Sequence, residues 1–188
     1  DAQLHLPRCG MREPFGIVGQ RAVCRVGLAH IGVQIQFANA EFLPEVVKML
    51  NEGHTVTLRL RGYSMRPFLE NDRDKALLVK PGNIKVGDPV LAEIKPLHFV
   101  LHRIIKIDGE NVVLKGDGNL SNEYCKIKDI KGAVIGFYRK GRTKLDRTDG
   151  LKWRFYSFIW MNLSPIRRYL LAFHRRIWIR IFPINVKK

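Results

Sequence analysis

Between Thr55 and Tyr138 the chain is a succession of short apolar runs broken by turn residues, and this rhythm restricts the fold more than any other feature. Thr55–Arg61 alternates strictly, with Val56, Leu58 and Leu60 against Thr57, Arg59 and Arg61. Period two is the pattern of a half-buried strand. Runs of strand length follow at Ala76–Lys80, Pro89–Ile94, Phe99–Ile107, Val112–Lys115 and Ala133–Tyr138. Pro81-Gly82-Asn83, Gly87-Asp88, Asp108-Gly109 and Gly116-Asp117-Gly118-Asn119 separate them. Many short strands with regular turn punctuation predict a mainly β domain. Phe42, Leu43, Val46, Val47 and Leu50 instead recur at helical spacing before Gly53, so a short helix leads into the sheet.

Charge divides the chain. Lys and Arg total 33 against 17 Asp and Glu, a net +16, and residues 151–188 hold nine basic groups and no acidic one. Residues 1–38 show no clear period and read as an irregular extension. Residues 39–140 form the β domain, 141–150 a polar linker, and 151–188 a basic helical tail that divides at Ser164-Pro165. Serine followed by proline is a helix-start signal. Beyond it Ile166, Tyr169, Leu170, Phe173, Ile177 and Ile181 share a helix face from which Arg167, Arg168, Arg175 and Arg176 are excluded. Three partners for the tail are open. An anionic membrane surface suits the aromatic and basic faces best. Packing on the β domain is the second, and nucleic acid, through Trp153, Trp160, Trp178 and the arginine pairs, is the less favoured third.

Arg21 and Arg25 interrupt the apolar stretch Phe15–Phe37, so no transmembrane helix is expected, and the location expected is peripheral to a membrane or cytoplasmic. Cys9, Cys24 and Cys125 have neither metal spacing nor an even number and read as free thiols.

The chemistry-bearing residues lie at strand ends. Gly62-Tyr63-Ser64-Met65-Arg66-Pro67 is a Gly- and Pro-bounded bend after a strand, which can present the Ser64 hydroxyl to a cleft. A serine nucleophile needs a base, and His102 stands inside an apolar strand. Taken singly, Ser64 is an ordinary turn serine and His102 an ordinary buried histidine. If Asp108-Gly109 is the centre of a two-residue hairpin, His102 pairs with Lys115. Asp117 is then its diagonal neighbour at about 7–8 Å, able to orient the imidazole. A one-residue change of register would send Asp117 to the other face. His98 shares the strand parity of His102, but no third metal ligand is evident. Glu123 reads as a solvated turn residue more simply than as a second acid.

Together, the bend at Ser64, Gly87-Asp88, Leu101-His102-Arg103-Ile104 and Leu114-Lys115-Gly116-Asp117-Gly118-Asn119 resemble, in order, the motifs of the signal peptidase I superfamily, which includes the LexA-type repressors. Histidine at 102 in place of lysine resembles the endoplasmic-reticulum and archaeal branch. The resemblance spans about residues 55–138. It implies a signal-peptidase/LexA-like β domain and a serine endopeptidase that cuts an extended peptide or leader segment. Ser64 would be nucleophile, His102 base and Asp117 third member, with no metal or cofactor. The alternative is a non-catalytic peptide-binding or repressor-like β module, or a protein that binds nucleic acid through its tail.

Overall fold

The computed structural model describes Val23–Cys24, Ile35–Gln36 and residues 39–182. Within them the chain is mainly β. The strands are β1 (Val23–Cys24), β2 (Ile35–Gln36), β3 (Val56–Arg59), β4 (Lys75–Val79), β5 (Pro89–Lys95), β6 (His98–Asp108), β7 (Asn111–Lys115), β8 (Glu123–Lys126), β9 (Ile130–Tyr138) and β10 (Leu145–Arg147). They form one antiparallel sheet in the order β2-β1-β3-β4-β9-β5-β6-β7-β8, with β10 also paired to β9. Helix α1 (Asn39–Asn51) precedes β3. Helices α2 (Leu151–Asn162) and α3 (Arg167–Phe173) follow β10, and α3 runs on through a π-helical turn, His174–Trp178, into α4 (Ile179–Ile181).

The strand runs read from the sequence are recovered to within a few residues at their ends. The sheet extends beyond them. β8 and β10 lie in segments rich in polar residues, where no apolar alternation announces a strand, and their side chains are half-buried or exposed. β10 occupies the segment read as a linker. The irregular extension expected at 1–38 falls mostly outside the described residues, and within it β1 and β2 are strands.

Two apolar clusters flank β6. Phe99 and Leu101 belong to one, together with Val56, Leu58, Leu78, Leu91 and Phe137. Val100 and Ile104 belong to the other, with Val90, Val112, Leu114 and Ile130. Alternation along an extended strand sends successive side chains to opposite faces, so β6 separates the two cores. α1 closes the first through Leu43, Val46 and Leu50. These stand at the i, i+3, i+7 spacing of one helix face, and each buried side chain stabilises the fold by about 1.5–3 kcal/mol.

The tail splits in its behaviour. α2 docks on the sheet domain: Trp153, Ser157 and Trp160 are buried, and Tyr156 packs beside Trp153 in the first cluster. Packing against the β domain, the second of the three readings, therefore holds for α2. Among the described residues beyond α2, only Arg167 and Leu171 are buried. Five of the six residues assigned to the apolar face, Ile166, Tyr169, Phe173, Ile177 and Ile181, are exposed. The second tail helix begins at Arg167, two residues after Pro165, with no side-chain cap. Among the described residues no helix is long and apolar enough to cross a membrane.

Candidate active site

Ser64 sits on a bend immediately beyond β3. Gly62 takes a φ of 95°, a conformation that costs a side chain strain and glycine none. Its N–H donates to Asn71 Oδ1 at 2.8 Å. Arg66 N–H then donates to the Tyr63 carbonyl at 3.1 Å and Leu69 N–H to the Met65 carbonyl at 3.0 Å, closing a tight turn with a cis Arg66–Pro67 peptide. Met65, Phe68 and Leu69 are buried beneath the turn and Ser64 is half-buried at its edge. These three apolar anchors fix a polar residue at the surface of the core.

His102 is 3 % exposed and lies opposite Val90 of β5. A buried imidazole needs a partner. Its Nδ1 meets Glu123 Oε2 at 2.5 Å. Burial pushes the Glu123 carboxyl up, but the hydrogen bond and charge of His102, with His98 beyond, outweigh it and hold the group below its ordinary range. A carboxylate at Nδ1 fixes the imidazole's tautomer and frees Nε2 to accept a proton.

Gly116 shows where Nε2 faces. A Cβ on Gly116 would stand 2.5 Å from the Ser64 carbonyl oxygen, 2.9 Å from His102 Nε2 and 3.0 Å from Asn119 Nδ2. Only a residue without a side chain fits there. The Ser64 main chain and His102 Nε2 thus converge on one point, no further apart than those two distances combined.

Asp117 does not back the histidine. It accepts from Arg103 Nε at 2.9 Å through Oδ1 and from Arg103 Nη2 at 2.8 Å through Oδ2. The cause is register. The hairpin pairs Asp108 with Asn111, so the loop centre is Gly109-Glu110, and a bulge lies between Ile104 and Lys106. Arg103, not His102, therefore pairs with Lys115, and Asp117 is the diagonal neighbour of Arg103. Glu123, read as a solvated turn residue, is the acid at His102. It reaches the histidine because β8 folds back on β7, pairing Glu123 with Leu114. Nothing in the polar residues before β8 announces that pairing.

Beside the bend lies an open pocket walled by Leu58, Leu60, Met65, Leu91, Phe99 and Leu101, with Gly62 and Ser64 at its lip and Arg59, Arg61 and Glu70 around it. Such a mostly apolar concavity next to a serine suits an uncharged side chain of a bound chain. Among the described residues no group of three or more His, Cys, Asp or Glu could hold a metal ion. Burial pushes the Cys125 thiol up to about 11, with Asp129 and Glu123 adding to the shift, so it stays protonated and weakly nucleophilic near neutrality. No protein-family model matches the chain, and no curated protein matches it either.

Proposed function

We propose that this protein is a serine endopeptidase of the signal-peptidase type, with Ser64 as nucleophile, His102 as general base and Glu123 as the orienting acid. The observation that carries the reading is the Glu123–His102 hydrogen bond at 2.5 Å on Nδ1, with Nε2 turned to the point that the Ser64 main chain also faces. His102 Nε2 takes the Ser64 Oγ proton as the oxygen attacks the scissile carbonyl. It then returns the proton to the leaving amine, and water releases the acyl group by the same route. Glu123 keeps the proton on Nδ1 and stabilises the imidazolium. The four motif strings that resemble the endoplasmic-reticulum and archaeal branch support the same roles for Ser64 and His102, and they favour an extended peptide substrate.

The tail supports a peripheral setting. Phe155, Phe158, Phe173, Trp178, Ile181 and Phe182 are exposed among the nine basic residues of 151–188. Apolar burial and attraction to anionic lipid then act together, the latter worth about 1 kcal/mol per basic residue near the surface.

Hydrolysis of a fluorogenic leader-like peptide, compared between the full chain and Ser64→Ala, tests the reading. Loss of a nucleophile removes several orders of magnitude in rate. A Ser64→Ala protein that keeps more than about a tenth of the activity removes Ser64 from the mechanism.

A further inference from the structure

The loop Gly116–Asn119 touches the reacting groups on one side and the C-terminal helices on the other. On the catalytic side Gly118 N–H donates to the Ser64 carbonyl at 2.7 Å. A Cβ on Gly118 would meet the Tyr63 carbonyl at 2.6 Å and that of Arg66 at 3.1 Å. Loop and bend are therefore in close backbone contact, and a displacement of one moves the other.

On the far side the loop is tied to α2. Asp117 Oδ2 accepts from Tyr156 OH at 3.1 Å, and the Asp117 carbonyl accepts from Trp160 Nε1 at 3.1 Å. Arg103, which grips the same carboxylate, spends its remaining Nη1 on the Gly87 carbonyl at 3.0 Å and on Ser157 Oγ. Arg103 and Asp117 are each only 1 % exposed, so their charges have no water to turn to, and their geometry depends on these donors and acceptors. The guanidinium lies 4.5 Å from the Trp153 ring centre. Phe68, four residues after Ser64, stacks on Tyr156 with centroids 4.5 Å apart. Farther along, Arg175 Nη2 reaches the Gly118 carbonyl at 3.2 Å.

We propose that α2 is a positioning element of the catalytic site. Tyr156, Ser157 and Trp160 fix the Arg103–Asp117 pair, the pair fixes the 116–119 loop, and the loop holds the Ser64 bend within reach of His102. None of the three touches substrate. The proposal rests on the Ser64–His102 reading. It assigns Asp117 a role distinct from that of Glu123, which meets the histidine directly.

The test uses the full-length Tyr156→Phe/Trp160→Phe protein, which loses both hydrogen bonds to Asp117 and keeps aromatic rings in place. Misplacing reacting groups by an ångström can cost about 100-fold in rate. The expected result is a kcat lowered 10- to 100-fold with KM unchanged, because the pocket walls are untouched, and an acid limb that keeps its position, because the His102–Glu123 contact is intact. Ile130→Ala in β9 is the control for lost stability. Ile130 is buried in the second core, away from α2 and the 116–119 loop; its truncation should lower the melting temperature and spare kcat. If the double variant unfolds, Tyr156→Phe alone, which removes one oxygen, gives the same readout. A folded double variant with wild-type kcat overturns the proposal, as does a kcat that falls equally in Ile130→Ala. A wild-type protein that hydrolyses no peptide and leaves Ser64 unlabelled by a fluorophosphonate overturns the underlying peptidase reading instead.

Discussion

The two halves of the tail carry similar residues and behave oppositely. α2 distributes its apolar residues all round: Trp153 and Trp160 are buried while Leu151, Phe155 and Phe158 face outward. The chain from Ile166 to Ile181 segregates its apolar residues from its arginines far better, yet that apolar face is exposed. What separates them is polar. The buried face of α2 carries a phenol, an indole N–H and a hydroxyl that bond Asp117 and Arg103, whereas the exposed face beyond Ile166 is chiefly aliphatic and aromatic carbon. Amphipathicity thus reports that a face will be covered. Polar groups matched to specific partners report that the cover is this protein itself.

That contrast breaks most visibly at the α2 anchor. Trp153→Ala should destabilise by about 3–5 kcal/mol, as large-to-small core changes of a buried tryptophan do. Its melting temperature should fall by roughly 10 °C for a chain of this size. Ending the chain before Leu151 should do worse, since it leaves the Arg103–Asp117 pair open to water and strips Phe68 of Tyr156. A truncated protein as stable and as active as the full chain, in thermal scans and peptide hydrolysis, would show α2 to be an appendage.

Ending the chain after Leu163 separates α2 from the helices beyond it. It removes Arg167, whose Nη2 donates to the Trp160 carbonyl at 2.7 Å, and Leu171, but leaves all of α2. The expected cost is smaller than that of Trp153→Ala, and peptide hydrolysis should survive. Flotation with anionic liposomes should drop sharply, and for the full chain it should weaken with added salt without vanishing. Equal flotation of the two proteins would place the lipid contact elsewhere.

The smallest effect concerns acid. Glu123 is held below its ordinary range chiefly by His102, against burial. A carboxyl with a depressed folded pKa contributes stability that is present above its unfolded value, about 4.3, and is lost as pH falls through the folded one. Glu123 is 27 % exposed, so solvent screens part of the gain. Glu123→Gln should lower the melting temperature modestly at neutrality and flatten its fall below about pH 4.5, where the carboxylate's contribution is already lost. An unchanged acid profile would separate Glu123 from the histidine.

Much of this architecture is legible in the residues. Strict alternation at Val56–Arg61 and the Gly62–Pro67 bend place Ser64, and an imidazole inside the apolar run at 102 marks the proposed base. Its carboxylate partner is not legible, because a hairpin's register depends on its turn. Moving the loop centre from Asp108-Gly109 to Gly109-Glu110, with a bulge before Lys106, hands Asp117 to Arg103. Glu123 is hidden for a related reason: β8 is held by its neighbour β7, and its own side chains show no apolar alternation. The docking of α2 is written in Tyr156, Ser157 and Trp160, but their partners lie about forty or more residues away in the chain and no local pattern reveals them.

In the proposed mechanism His102, oriented by Glu123, activates Ser64. The most direct measurement is the second-order rate of phosphonylation by a serine-directed fluorophosphonate against pH, with the labelled residue identified by peptide mapping. A single label on Ser64 is expected, with a rate that depends on pH as general-base catalysis requires. The rate should fall by about 100-fold or more in His102→Ala, as removal of a general base requires, and by less in Glu123→Gln. Labelling away from Ser64, or a Ser64 rate indifferent to His102→Ala, would contradict this mechanism.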